Sequence, residues 1–314
     1  MEITKKVLNQ HSNKRLDKAS SEIFRDFSRS QLKKWIQEGR VLLNNEIASP
    51  KDYVYEDDEI MVNPISENKI SWDPEKIKFK VIYENDDFII VDKPCDLVMH
   101  PGAGCFDGTL ANGLIFIYPE LKKIPRAGIV HRLDKNTSGI LLIARTLKFR
   151  NYYVNLLQER KVIKKYKAIV VGKINSSFEI NQPIARDKKN RTKMTIRQDG
   201  KEALTYVRLE KTFNNYSLLD ISIKTGRTHQ IRVHLNYKQH PIIGDKKYNP
   251  ANNIAKSTPS DLANVIRSFP RQALHSYYLG FQDMNDMNND KLIEFESEMP
   301  NDMKNLITNF KKHL

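Results

Sequence analysis

One carboxylate constrains this chain more than any other residue. Asp134 stands between apolar Ile129-Val130 and the run Ile140-Leu141-Leu142-Ile143-Ala144, and the link Lys135-Asn136-Thr137-Ser138-Gly139 has turn composition. The apolar run reads as a buried strand, so the fold must bring an acid to the place where a buried strand meets a turn. An acid there is costly to desolvate unless it is paired, and such positions often carry chemistry.

The 314 residues suggest two domains, or one large domain with an appendage. With 39% hydrophobic and 29% charged residues the chain can bury a core, which excludes a disordered protein. The formal net charge of +14 calls for a polyanionic partner, either nucleic acid or an anionic membrane surface. No run of eighteen apolar residues exists to span a bilayer, and no amphipathic helix with a cationic face suits a membrane surface. The opening Met1-Glu2-Ile3-Thr4-Lys5-Lys6 lacks a signal-peptide pattern, and two cysteines, Cys95 and Cys105, fit a reducing compartment; a cytoplasmic location is expected. His100 lies between those cysteines, but the spacing is not C-x-x-C and no second Cys/His pair completes four ligands, so no metal is expected.

The composition divides the chain into a first unit, 1–66, a polar linker with Pro74, 67–76, and a large domain, 77–314. In the first unit Leu32, Trp35 and Ile36 share a helix face; Ser28 or Ser30 can cap its start and Gly39 its end, and a short strand and a turn at Asn44-Asn45 follow. Arg29, Lys33, Lys34 and Arg40 cluster there, either as a solvated helix face or as an RNA contact. In the large domain, Phe79–Tyr83 and Phe88–Val91 read as a hairpin, and a short helix after Gly108 stops at Pro119. A helix over Leu147–Arg160 would bury Tyr153, Val154 and Leu157. Tyr166–Val171 reads as a strand. Leu219, Ile221 and Ile223 alternate with Asp220, Ser222 and Lys224 in a half-buried strand after a turn at Asn214-Asn215, and Met303, Leu306, Ile307 and Phe310 form the stripe of a last helix. Strands paired as hairpins, without strict βαβ alternation, imply an α+β fold with a mixed, mainly antiparallel sheet.

The words around Asp134 resemble the signature H-R-L-D-x-x-T-S-G of the RluA/RluD-type pseudouridine synthases, in which the aspartate is catalytic. The pattern S-R-x-x-L-K-K-W-I-x-x-G-x-V-x-L-N, with Arg15-Leu16-Asp17 upstream, resembles the small RNA-binding domain first described in ribosomal protein S-four. The resemblance implies a pseudouridine synthase fold with that domain at its N-terminus. The reaction breaks the N1–C1′ bond of uridine, turns the uracil and joins C5 to C1′. No redox change and no outside group take part, so no cofactor is expected, and no phosphate-loop, dinucleotide or H-E-x-x-H motif is present. His229 and His234 are five apart and miss the spacing of a helical metal pair.

Asp134 could attack C1′ as a nucleophile or remove the C2′ proton as a base. Either role wants a cationic partner in a dry pocket. Lys224-Thr225-Gly226-Arg227-Thr228-His229-Gln230-Ile231-Arg232-Val233-His234-Leu235 resembles the family's third motif, whose first arginine pairs with the aspartate, which points to Arg227; the alternative is a surface arginine on RNA. Arg232 is left with a phosphate contact or no role. Tyr166 in Tyr166-Lys167-Ala168 resembles the family's Y-x-A motif, with the phenol against the uracil, where otherwise it would simply fill the core. Arg132 shares the orientation of Asp134 and is expected on the RNA, while His131 is read as structural. In the loop Lys93-Pro94-Cys95-Asp96-Leu97-Val98-Met99-His100-Pro101-Gly102-Ala103-Gly104, Asp96 replaces the family's glycine, a turn position that Asp tolerates. The arm Arg186–Arg197, dense in cations with the single acid Asp187, offers Lys188, Lys189, Arg191 and Lys193 to the RNA backbone. With Arg271-Gln272-Ala273-Leu274-His275, the likeness is nearer the RluD branch, which implies a partner in large-subunit (23S) rRNA or the assembling large subunit. The rivals are a non-catalytic RNA-binding assembly factor, and a synthase acting on tRNA or other rRNA sites.

Overall fold

The computed structural model describes residues 2–314 except 25, 26, 28, 65–71, 103, 252, 285 and 287–290. It divides into two compact units, Met1–Lys69 and Ile70–Leu314.

The first unit contains β1 (Ile3–Lys6), β2 (Lys14–Arg15), α1 (Leu16–Ile23), α2 (Arg29–Gln37), β3 (Val41–Leu43), β4 (Glu46–Ile47), β5 (Tyr53–Val54) and β6 (Glu59–Val62). Its sheet runs β1-β6-β3-β4, and β2 pairs with β5. Leu32, Trp35 and Ile36 are buried together, as their spacing predicts. Asn44 and Asn45 both adopt positive φ (52° and 66°), the backbone a two-residue hairpin demands. The proposed cap Ser28 lies outside the described residues, as does the side chain of Ser30. Asp17 is buried at the head of α1 and takes ion pairs from Arg15 (3.1 Å) and Arg29 (2.9 Å). Arg29 therefore helps hold this unit together, although half its side chain stays exposed. Lys33, Lys34 and Arg40 are exposed, the last two within 4 Å of Glu38.

The second unit contains β7 (Lys80–Glu84), β8 (Phe88–Lys93), α3 (Leu110–Ile117), β9 (Ser138–Ala144), α4 (Leu147–Gln158), β10 (Ile163–Val171), β11 (Phe178–Asn181), β12 (Ile184–Arg186) and β13 (Met194–Ile196). It continues with β14 (Leu204–Phe213), β15 (Tyr216–Ile223), α5 (Gln230–Tyr237), α6 (Ser260–Ser268), β16 (Leu274–Gln282), β17 (Leu292–Glu296) and α7 (Asn301–Lys311). One large sheet runs β11-β14-β15-β10-β16-β9-β8-β7, with β17 also on β16. Within it only β9 and β16 pair in parallel among the described residues, so the sheet is mixed and mainly antiparallel. Alternation serves two apolar layers: Ile89, Val91, Leu141 and Ile143 face the main core, whereas Phe88, Ile90, Ile140 and Leu142 face α4.

Three expectations need correction. The buried stripe of α4 is Phe149, Tyr153 and Leu156, with Val154 and Leu157 only half-buried, because stacking of Phe149 on Phe88 (4.8 Å) and of Tyr153 edge-on to Phe281 (5.2 Å) sets the helix rotation. The strand carrying Leu219, Ile221 and Ile223 is covered on both faces. Asp220 is buried there because Arg208 (2.5 Å) and the Tyr277 hydroxyl (2.9 Å) both donate to it, so its polarity marks an ion-paired layer and not solvent. The second half of the expected linker is stitched to the large unit. Trp72 and Ile77 pack on its core, Asn112 Nδ2 donates to the Asp73 carbonyl (2.8 Å), and Gly113 lets Ile77 approach so closely that a Cβ there would lie 2.7 Å from it. Residues 67–71 lie outside the described residues.

Candidate active site

Asp134 sits in the irregular segment that feeds β9, and Thr137 N–H donates to its carbonyl (3.0 Å) to close the turn. Three side chains grip that turn from behind. Lys93, fully buried at the end of β8, donates to the carbonyls of Pro94 (2.8 Å), Leu97 (3.0 Å) and Lys135 (3.0 Å). Burial pushes its pKa down to about 7, yet three oxygens match the three hydrogens of an ammonium. Gln272 Nε2 donates to Thr137 Oγ1 (3.1 Å), and Arg271, locked in a two-pronged pair with Asp302 (2.7 and 2.9 Å), reaches the Asn136 carbonyl (3.4 Å). His131 is structural as read: its Nε2 accepts Leu142 N–H (3.0 Å), and burial pushes its pKa down to about 3. Asp96 takes φ +63°, the left-handed geometry that a glycine would supply, and meets Lys135 at 3.0 Å.

The cationic partner of Asp134 is Arg232, not Arg227. Arg232 Nη1 donates to Asp134 Oδ2 at 2.8 Å, while its Nε and Nη2 form a fork on Asp245 at 2.7 and 2.8 Å. Burial works against its charge, but the two carboxylates outweigh that and raise its pKa above the ordinary arginine value. The reason lies in the turn before α5. The Gln230 side chain accepts from Thr225 Oγ1 (2.7 Å) and from Arg227 N–H (3.0 Å), and His229 takes φ +56° before the helix starts. Arg232 thus falls on the first helical turn, facing Asp134. Arg227 remains in the turn, half-buried, its Nε donating to the Glu202 carbonyl (2.9 Å). It lines the same cavity without touching the carboxylate's partner position.

That cavity, about 450 Å³, is lined by Asp134, Tyr166, Lys164, His229 and the arginines 126, 132, 227 and 232. Its volume is of the size that holds a small ligand. Among the described residues Asp134 is the one carboxylate in its wall. Tyr166 is buried on β10, and burial pushes its phenol up to about 12. Lys164, two residues earlier on the same strand, is buried, and burial with the charge of Arg227 brings it down to about 8. Arg132 is exposed at the rim. Sequence reasoning gave Arg232 only a phosphate contact or no role, and passed over Asp245, Lys164 and Tyr248. A cation two residues before the motif tyrosine was a readable signal for Lys164; nothing local marked Asp245 or Tyr248.

The basic arm is the hairpin of β12 and β13. Asp187 Oδ1 accepts Lys189 N–H (2.7 Å) and Asn190 N–H (2.8 Å), shaping a tip that presents Lys188, Lys189 and Arg191 to solvent with Lys193 half-buried. It is tied to the site at the tip end of its ladder, since Met194 N–H donates to the Tyr248 hydroxyl (2.9 Å) and Lys247 Nζ to the Thr192 carbonyl (3.0 Å). Among the described residues no three His, Cys, Asp or Glu gather as a metal site, and no helix is long and apolar enough to cross a membrane.

Residues 87–237 match the family model for RNA pseudouridylate synthase, and residues 14–60 match the S4 domain. The chain is 40% identical over 304 residues to the ribosomal large subunit pseudouridine synthase D of Vibrio cholerae, covering 96% of this chain and 93% of that one. It is 37% identical over 309 residues to the protein of the same name from Escherichia coli K12, covering 98% and 94%. Among solved structures it resembles human RNA pseudouridylate synthase domain containing 4, with TM-score 0.56, 20% identity and coverage of 74% and 93%, a likeness of fold.

Proposed function

Since the chain belongs to the RNA pseudouridylate synthases, and is therefore an isomerase acting on RNA, we propose that its substrate is large-subunit rRNA and that Asp134 is the carboxylate that reacts. The observation that carries this reading is the Asp134 carboxylate held by Arg232 in a cavity that Arg126, Arg132, Lys164, Lys224, Arg227 and the buried Tyr166 help to line. Arg232 takes Oδ2, which leaves Oδ1 without that partner. Attack on C1′ and abstraction of the C2′ proton both begin from that oxygen. The N1–C1′ bond breaks, C5 joins C1′, and the proton leaving C5 is balanced by the one gained at N1.

Tyr166 supplies a flat, dry surface for the uracil, and its high pKa keeps the phenol protonated. Arg132 at the rim and Lys188, Lys189, Arg191 and Lys193 on the arm contact the backbone, offsetting the few kcal/mol of taking a base out of its stack. Arg227 joins them as a cavity-wall RNA contact. The first unit adds affinity through Lys33, Lys34 and Arg40, with Arg29 shared between Asp17 and the RNA. The relatives' names direct the choice to the large subunit, and the enzyme works in the cytoplasm, where that subunit is assembled. The test is pseudouridine mapping of total rRNA from a strain lacking the gene, complemented with wild type or Asp134→Asn. Large-subunit sites should vanish in the deletion and return only with wild type. Sites that return with Asp134→Asn would refute the carboxylate's role, and losses confined to tRNA would refute the substrate.

A further inference from the structure

His229 stands beside the reacting carboxylate without an assigned task. Its Nε2 lies 3.9 Å from Asp134 Oδ1, the oxygen that Arg232 does not hold, and its Nδ1 lies 2.7 Å from the Tyr248 hydroxyl. Tyr248 settles the tautomer. Its oxygen already accepts Met194 N–H at 2.9 Å, and in a half-buried setting its own proton is left to donate. His229 Nδ1 is the acceptor within reach, so the ring carries its proton on Nε2 and directs that N–H at Asp134. The groups around the ring are Asp134, Asp245, Arg232, Lys247 and Tyr248, and burial outweighs the two acids to bring the imidazole down to about 4, so it stays neutral at working pH. The positive φ of His229 places the ring there, a backbone cost that a non-glycine residue bears only when its surroundings impose it.

Resting on the reading of Asp134 as the reacting group, we propose that His229 is a positioning residue which, as the Nε2–H tautomer set by Tyr248, fixes Asp134 Oδ1 in the substrate complex while Arg232 fixes Oδ2. A gap of 3.9 Å in the free enzyme is of the kind that closes when substrate excludes water, since catalytic hydrogen bonds often tighten only in the complex. With both oxygens located, the carboxylate cannot rotate away from the sugar. The relay Met194–Tyr248–His229–Asp134 starts from a backbone N–H of β13 at the tip end of the basic hairpin's ladder.

The experiment joins kinetics to spectroscopy on the full-length enzyme. Nitrogen-15 shifts of the His229 ring should report a neutral Nε2–H tautomer from about pH 5 to 8. Tyr248→Phe should mix the tautomers. At saturating rRNA fragment, His229→Phe should lower the single-turnover rate by roughly tenfold to a hundredfold, with RNA affinity within about twofold. His229→Gln, whose amide reaches to a similar place and bears the same strain at φ +56°, should recover much of that loss. A proton on Nδ1 in the wild type, or a wild-type rate in folded His229→Phe, would overturn the proposal. Should His229→Phe fail to fold, the ring shifts and the Tyr248→Phe rate still decide, an unchanged tautomer and rate together counting against it. Asp134→Asn in parallel separates the two readings: full turnover there defeats the role of Asp134, whereas a dead Asp134→Asn beside a fully active His229→Phe defeats only the role of His229.

Discussion

Arg232→Ala should be the most damaging single truncation in the site, in stability and in turnover. The guanidinium makes three charge-assisted hydrogen bonds of 2.7–2.8 Å to two carboxylates. Asp245, whose side chain is 1% exposed, would retain only backbone donors, Lys247 N–H (3.0 Å) and Tyr248 N–H (3.1 Å). Stranding a buried charge in this way costs about 3–5 kcal/mol. For a unit of this size each kcal/mol shifts melting by about 2–4 °C, so the expected fall is roughly 6–20 °C. Asp134 is 17% exposed and contributes the smaller share of that penalty, but its loss of direction should remove turnover even well below the new melting point. Arg232→Lys keeps the charge but cannot fork onto Asp245 while reaching Asp134, so it should recover part of the stability and little activity. Arg227→Ala gives up one hydrogen bond from a half-buried side chain and should cost only about 1 kcal/mol. Calorimetric melting with single-turnover pseudouridine formation checks the series. Wild-type melting and rate in Arg232→Ala, or a larger melting loss in Arg227→Ala, would refute the assignment.

Two further outcomes follow from buried histidines and from the division of the chain. His131 and His229 have pKa values of about 3 and about 4, both below the ordinary histidine value, so the unfolded chain binds more protons than the folded one as pH falls. Stability fully present above about pH 6.5 should decline toward pH 4, by about 2 kcal/mol per histidine at pH 5, and melting across that range in wild type and His131→Gln checks it, an equal slope in the two ruling out His131. Deleting residues 1–66 should weaken RNA binding and flatten its salt dependence by about one unit of log–log slope per lost phosphate contact, while leaving turnover at saturating RNA; an unchanged slope would remove the docking role.

Much of the fold was legible because periodicity reports burial. Leu32, Trp35 and Ile36 lie where a helical stripe puts them, and Ile140–Ala144 form a strand buried on both faces. Pattern failed where tertiary partners override it. Asp220 reads as a solvent-facing residue, but Arg208 and Tyr277, on other strands, make burial tolerable. The stripe of α4 was misjudged because the aromatic cluster of Phe88 and Phe281, distant in sequence, sets its rotation. The choice between Arg227 and Arg232 depended on where a turn ends and a helix begins. Three residues of a T-G-R-T-H-Q-I-R segment decide that through the Gln230 side chain and the left-handed His229, neither of which leaves a trace in hydropathy.

The arrangement of charge in the second unit resolves a conflict that a basic RNA enzyme must face. Arg126, Arg132, Lys164, Lys224 and Arg227 around the cavity draw in a polyanion, and the same field would pull a mobile carboxylate into whichever pair lay nearest. Asp134 escapes this because its partner is itself held: Arg232 is forked onto Asp245, and Asp245 is fixed by two backbone N–H groups. Asp245 therefore serves as the foundation of the pair. Lys93, Gln272 and Arg271 meanwhile pin the turn on the other side. With the acid anchored from both directions, its position does not depend on the surrounding cations. Lys164 is buried without a carboxylate pairing it among the described residues, so on the proposed reading it is the wall cation with most to gain from an entering substrate anion.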